Sequence, residues 1–249
     1  GARWEFAPGF ATRASRTRSA RFPTLFELFG TSGEVVANAA LVPERATSWD
    51  GGVRWTRGGF MADFGVYHAA RDSIIYLVQN SQRAFVAQNL ERVIAKGVEF
   101  EFEWRRGRFN CGGSFLSQDV RHDGTIARWN DRWLPYVSPR EYALRAGVRA
   151  GAFTFGYDVL YADTFYRDRA NSPENRADSR TLHNAGVRWQ QWRSVAFDFD
   201  MRNLTDDTSY DVYGYPMPGR SFYMTMTLDA PTLAHAGDKN RIPWNEDTP

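Results

Sequence analysis

Cysteine occurs once in 249 residues, at Cys111. No internal disulfide can staple the fold, and a lone thiol in the strand-like stretch FNCGG reads as a buried, inert group. Histidine is scarce and scattered: His68, His122, His183 and His235 share no close spacing, so no metal site and no cofactor is called for. No apolar run approaches the ~18–20 residues of a spanning helix. Gly1 is followed by strand-like sequence with no basic-then-apolar leader, so we expect that a leader has been removed or that the sequence starts inside a longer chain. An excess of one charge is missing too: 31 basic against 29 acidic side chains leave +2, which favours neither nucleic acid nor an anionic surface as a partner. The mean hydropathy of -0.53 would suit a soluble protein. It does not exclude a membrane barrel, where only alternate residues need face lipid.

What the sequence has is aromatic residues, 15% of the total, arranged with a period of two. Val98, Phe100, Phe102 and Trp104 alternate with Glu99, Glu101 and Glu103; Val195, Phe197, Phe199 and Met201 alternate with Ala196, Asp198, Asp200 and Arg202. In the last such run, Phe222, Met224, Met226 and Leu228 oppose Ser221, Tyr223, Thr225 and Thr227. This is strand periodicity, and it scrambles any helical stripe. Three glutamates on one face cannot be buried dry, so that face meets water or basic partners. Ten strands are expected: 10–17, 46–56, 60–71 (continuing through 74–79), one around 98–104, 109–121, 140–149, 153–163, 178–190, 194–203 and 220–229. Connections after the even-numbered strands are two to four residues long and the others are longer. Trp49, Trp55, Trp104, Tyr161 and Trp189 gather near strand ends. One trimmed rim, one elaborated rim and aromatic belts describe an all-β antiparallel transmembrane barrel. The long stretch 18–44 is expected to be a folded loop with Phe22, Leu25, Phe26 and Phe29 packed inward. Residues 230–249 lack periodicity and read as a polar tail on the short-turn side.

An open sheet edge in hydrocarbon would leave roughly five unpaired donors and acceptors, each costing several kcal/mol. Ten strands must therefore close as a small cylinder or share a larger wall with strands outside this sequence. A small cylinder would be an outer-membrane protease, lipase or passive pore. The polar trio Asp119, His122 and Asp123 is the only loop-rim arrangement that invites an enzymatic reading, and it fits accidental loop polarity better.

Four segments then carry a specific resemblance: ARFPTLFELFG (20–30), NAALVPERATSWDGGVRW (38–55), NLERVIAKGVEFEFEW (89–104) and MRNLTDDTSYDVYGYPMPGRSFYMTMTL (201–228). In this order they resemble landmarks in the C-terminal part of the barrel of TonB-dependent outer-membrane receptors, the vitamin B12 and siderophore receptors above all. The matching positions are Pro23; Asn38, Leu41, Pro43 and Glu44; Lys96, Gly97 and Glu99; and Asn203, Leu204, Asp206, Tyr210, Gly219, Arg220 and Phe222. The resemblance spans residues 1–229 and implies about ten C-terminal strands of a 22-stranded barrel. Nothing matches the plug or its TonB box, so the plug and the remaining N-terminal strands are expected partners on a separate chain, a cleaved segment or an omitted region. The TonB complex would act through that plug, with outer-membrane lipid around the wall. The implied function is uptake of a chelated-metal nutrient, a ferric siderophore first and cobalamin second, with no bond-breaking step. Long loops would be extracellular, and the short turns and C-terminus periplasmic.

The candidate ligand surface lies on the long-loop rim. Arg21, Phe26, Tyr76, Trp129, Arg132, Trp133, Tyr166, Arg167, Tyr213 and Tyr215 combine planar apolar area with cationic donors, a mixture suited to an anionic aromatic chelate. Asn203, Asp206, Gly219 and Arg220 are expected to cap a loop and start a strand, with Gly219 free to adopt a backbone conformation closed to other residues. Glu99, Glu101 and Glu103 are expected as wall groups facing water or the plug.

Overall fold

The computed structural model describes residues 1–31, 35–80, 84–89, 92–124, 126–192, 194–209, 215 and 217–228. The expected tail, 230–249, lies outside the described residues. Alternation of apolar and polar residues makes one meandering antiparallel sheet in which every strand pairs with its sequence neighbours in the wall. Its eleven described strands are β1 (Ala2–Ala7), β2 (Phe10–Arg21), β3 (Glu44–Arg57), β4 (Phe60–Asp72), β5 (Arg92–Arg106), β6 (Phe109–Asp123), β7 (Arg140–Ala150), β8 (Phe153–Ala162), β9 (Arg180–Trp192), β10 (Val195–Arg202) and β11 (Ser221–Leu228).

This is one strand more than expected. Ala2–Ala7 also alternates, Trp4 and Phe6 against Arg3 and Glu5, and pairs with β2 across a Pro8-Gly9 turn. Two other expectations change. Ile75–Gln79 does not prolong β4: Ser73 takes a positive φ of 57° and turns the chain out of the wall. It pairs instead with Phe85–Asn89, inside the stretch expected as loop. Cys111 is half-buried on the outer face rather than fully enclosed.

Five connections, after β1, β3, β5, β7 and β9, are two residues long, and those after the other strands are long. Gly9, Gly58, Gly59, Gly107 and Gly151 hold positive φ in the tight turns, a region open to glycine at little cost.

The two faces of the wall differ as the pattern requires. On one, Trp4, Phe64, Phe155 and Met224 are 67%, 47%, 44% and 69% exposed. A water-soluble fold would bury a continuous apolar sheet of this kind. The other face holds ion pairs: Asp63 takes Arg13 Nη1 and Arg54 Nε, each at 2.6 Å, Glu103 joins Arg145 and Arg105, and Asp198 binds Arg188 at 3.0 Å. Against this inner face lies a cavity of about 560 Å³ bordered by Arg54, Glu99, Glu101 and Glu141. Asp63 and His68, on one strand, therefore do different things. Asp63 ties two guanidiniums inside, and His68 stacks on Trp49 outside with ring centroids 5.7 Å apart.

The sheet does not close. Among the described residues, β1 pairs only with β2 and β11 only with β10. A sealed small cylinder is not formed.

Candidate functional site

The long-loop rim is built from connections that fold onto one another. In the first, 22–43, Thr24-Leu25-Phe26-Glu27 forms a reciprocal cap: Glu27 N–H donates to Thr24 Oγ1 at 3.2 Å, and Thr24 N–H donates to Glu27 Oε2 at 2.7 Å. This starts a helix, α1 (Leu25–Phe29). Burial would raise the Glu27 pKa, but the Thr24 amide and hydroxyl and the Arg21 guanidinium outweigh it and hold the group below its ordinary value. The expected inward packing of Phe22, Leu25, Phe26 and Phe29 is not seen. They are 73%, 74%, 43% and 70% exposed. The loop's apolar anchor is instead Leu41 with Ile75 and Ala87, against which Leu28 packs.

The resemblance motif around Asn38 explains that anchor. Asn38 Nδ2 donates to the Ala87 carbonyl at 2.7 Å. Val42 N–H and C=O are both bound by the Asn89 amide, at 2.8 and 2.9 Å. Glu44, buried, accepts from Arg21 Nη2 at 2.6 Å and from Ile75 N–H at 2.8 Å. Val35–Val36 adds a parallel strand to Phe85–Asn89. The described parts of connections 22–43 and 73–91 are thus one body, and Asn38, Leu41 and Glu44 are its joints; Pro43, between them, is half-buried.

A second body forms from the described part of 124–139 and from 163–179. The Asn171 side chain bonds Trp133 N–H and C=O at 2.7 and 3.0 Å, and Tyr136 N–H donates to the Tyr166 carbonyl at 2.8 Å. The Arg121 guanidinium lies 4.4 Å from the Trp133 ring centroid.

Arg169 joins the two bodies. Its guanidinium sits 3.9 Å from the Tyr76 ring centroid and 5.3 Å from that of Trp129. Burial lowers the Arg169 pKa from its ordinary value, with Tyr76 opposing, and burial raises that of Tyr76. Among the described residues no carboxylate pairs with Arg169, and its guanidinium is held by aromatic faces.

Of the expected ligand residues, Tyr76 and Trp129 meet at Arg169, and Trp133, Tyr166 and Arg167 belong to the second body. Arg167 Nη1 makes a long 3.4 Å contact with the Arg176 carbonyl. Arg132 is exposed, its carbonyl taken by His122 N–H at 2.9 Å. Arg21 is committed to Glu27 and Glu44. Phe26 lies on α1 and is 43% exposed. Tyr215 is 75% exposed; Tyr213 and Tyr210 lie outside the described residues. Arg169 was not singled out from the sequence; its one signal is an arginine in a loop flanked by aromatic loops. The trio Asp119, His122 and Asp123 falls apart in the structure: Asp119 pairs with Lys96 and Arg121, and His122, one step off in parity, is buried on the opposite face. Among the described residues no group of three or more metal-ligating side chains converges.

The remaining landmarks are structural joints. Asn203, buried, binds Asp207 N–H and C=O and the Pro218 carbonyl at 2.8, 2.8 and 3.1 Å. The Ser209 amide holds the Asp207 carboxyl below its usual pKa. Asp206 accepts from Arg220 N–H at 2.7 Å. Gly219 does not adopt positive φ; it is glycine because a Cβ there would stand 2.8 Å from Asp206 Oδ1. At Gly97 a Cβ would stand 2.8 Å from the Tyr67 ring and from the Ser117 carbonyl. Glu99 lines the inner cavity, Phe222 is exposed on the outer face, and Pro23 is half-buried just before the α1 cap.

An open antiparallel wall, apolar outside and ion-paired inside, with one rim of packed loops, defines a section of a membrane β-barrel. The family model "TonB dependent receptor-like, beta-barrel" matches residues 1–204, and the chain belongs to that family. Its setting is accordingly the bacterial outer membrane. Solved structures of similar fold include the siderophore receptor PiuA from Acinetobacter baumannii (17% identity, TM-score 0.74, covering 91% of this chain and 34% of that one). Others are the FrpB iron transporter from Neisseria meningitidis in its apoprotein form (14%, 0.73, 91% and 38%) and the copper transporter OprC (18%, 0.72, 88% and 37%). The chain spans between 34% and 38% of the length of these structures.

Proposed function

We propose that residues 1–229 are the C-terminal portion of a receptor barrel that takes up a chelated-metal nutrient, a ferric siderophore before cobalamin, across the outer membrane. The long loops face the outside, the short turns and the polar tail 230–249 the periplasm. The remaining strands pair with the free edges of β1 and β11, and a plug fills the lumen against the charged inner face. If the complete wall has 22 strands, these eleven are half of it. Loop capture is followed by TonB-driven displacement of the plug, and no covalent bond is made or broken in the cargo.

The observation that carries this reading is the junction at Arg169. Two loop bodies meet at a desolvated guanidinium flanked by Tyr76 and Trp129, with Trp133 and Arg132 nearby on the same loops. Planar rings around a cation that pairs with no carboxylate among the described residues suit an anionic, aromatic iron chelate. That the transporters of similar fold handle iron, copper and siderophores supports the same class of cargo.

The test is uptake of radio-iron from a panel of ferric siderophores, beside labelled cyanocobalamin, by cells whose only such receptor is the complete protein. Uptake should require TonB. Arg169→Gln should weaken the productive chelate by about 10-fold, corresponding to ~1.4 kcal/mol for a lost charge-assisted contact. TonB-independent entry, or transport of cyanocobalamin alone, would overturn the assignment.

A further inference from the structure

The trimmed rim carries its charge unevenly. Two hairpins, β3–β4 and β5–β6, turn through Arg57-Gly58-Gly59 and Arg106-Gly107-Arg108, and neither turn holds an acid. Parity sorts the arginines around them. Arg54 and Arg105 point inward and are taken by Asp63 at 2.6 Å and Glu103 at 3.1 Å. Arg57 and Arg106 point outward: register sets Arg57 beside Phe60, Phe60 beside Trp104, and Arg106 beside Phe109. Arg108, in the turn itself, holds its guanidinium 5.1 Å from the Phe109 ring centroid and so lies on the same outer side. All three are exposed, and among the described residues none has an ion pair or side-chain hydrogen bond. The wall continues on both flanks of these hairpins, through β2 and β7, so the neighbouring strands are in place and bring no partner.

Depth narrows the choice of partner. Trp55 stacks on Phe10 with ring centroids 5.8 Å apart and meets Phe60 at 5.4 Å. With Trp104 and Phe109 they form an aromatic band of the kind that sits at the edge of hydrocarbon. The arginines stand within one or two residues of that band, about 3–7 Å along the strand. Two-residue turns give them no loop on which to reach further, so whatever they bind lies at headgroup depth. The Cα atoms of Arg57 and Arg106 are separated by two strand spacings and two residues, about 12 Å, and both forks can meet one headgroup between them. The next hairpin, β7–β8, turns through the uncharged Ala150-Gly151-Ala152, so the cations form a local patch.

We propose that Arg57, Arg106 and Arg108 form a binding surface for the phosphate of an anionic phospholipid in the leaflet at the short-turn rim, its acyl chains lying against Phe60, Trp104 and Phe109. A guanidinium fork matches a phosphate's oxygens. A lipid with net negative charge is preferred to a zwitterion, because neither turn offers an acid to receive a choline or ammonium group. The inference rests on the wall and its two faces and not on the cargo. With the short turns facing the periplasm, as proposed above, this is the inner leaflet of the outer membrane.

The full-length receptor in neutral detergent would be titrated with phosphatidylglycerol, phosphatidylcholine of the same acyl chains, and bis-phosphorylated lipid A, and bound lipid counted by native mass spectrometry. Phosphatidylglycerol should bind in preference to phosphatidylcholine. R57Q/R106Q/R108Q should lose roughly 100-fold for phosphatidylglycerol, at about fivefold per cation, while the triple lysine variant should lose far less. A millimolar excess of glycerol phosphate should not compete, because it has no chains to lie on the aromatic band. Equal binding of phosphatidylglycerol by wild type and the glutamine variant would refute the patch. So would equal binding of the two phospholipids by wild type, competition by glycerol phosphate, or a lysine variant as weak as the glutamine one. Loss of lipid A from the glutamine variant with phosphatidylglycerol retained would assign the patch to glycolipid and overturn the proposal. Chelate binding by the same preparations, measured separately, should be unchanged in the glutamine variant; failure of wild type to bind any chelate would count against the transport reading and leave the lipid result standing.

Discussion

Glu44 joins the wall to its loops, and removing it gives the sharpest test of the loop architecture. One carboxylate serves Arg21 across the strand and the Ile75 amide that opens the loop strand, while Glu27 gives Arg21 a second partner. Glu44→Ala removes a charge-assisted bond and strands a buried amide; at ~1–3 kcal/mol for the unmade bond and about 1.5 kcal/mol for the charged one, reduced by the remaining Glu27 pair, the cost is about 2–4 kcal/mol. Glu44→Gln keeps an acceptor for Ile75 and should cost about half as much. Since the loop body rests on the small Leu41–Ile75–Ala87 cluster, the loss should appear as local opening. Hydrogen exchange read by mass spectrometry should speed up by roughly 30- to 700-fold for Glu44→Ala over 75–79 and 85–89, with β7 to β9 unchanged. Acceleration spread evenly over the wall, or no difference between the two variants, would refute the assignment of Glu44 as a joint.

Asp63→Asn leaves Arg13 and Arg54 sharing a neutral acceptor and should destabilise the barrel by about 2–3 kcal/mol, below a fully buried pair because both guanidiniums stay partly hydrated; the urea midpoint of the complete receptor reads this. Gly97→Ala drives a methyl into Tyr67 and the Ser117 carbonyl, at about 1–3 kcal/mol by the same measurement, with a smaller cost in a Tyr67→Ala background. The pKa of Glu27 is lowered in the fold, so its contribution is complete above the ordinary carboxylate range and fades as pH falls through the folded value. Glu27→Gln should therefore expose α1 to exchange at neutral pH, and the difference from wild type, corrected for intrinsic rates, should vanish in strong acid.

The period-two pattern alone determined ten of the eleven described wall strands, their faces and the two kinds of rim, because alternation is a local property that needs no knowledge of neighbours. Thr24-x-x-Glu27 also marked a helix in plain sequence, though its brevity hides it beside the strand signal. Glycine positions were legible and their reasons were not: Gly219 looks like a conformational choice until Asp206 is seen standing close to where a Cβ would be, and at Gly97 the Tyr67 ring stands there. The loops were the least legible part. Phe22, Leu25 and Phe29 read as core by composition, yet the fold buries Leu41 and Ala87 and leaves the phenylalanines outside, since burial depends on which connection a residue meets. Arg169 acquires its meaning from Tyr76 and Trp129, 93 and 40 residues earlier in the numbering. Sequence fixes what each residue is and which way it faces along its own strand; only register and loop packing decide which charges find partners.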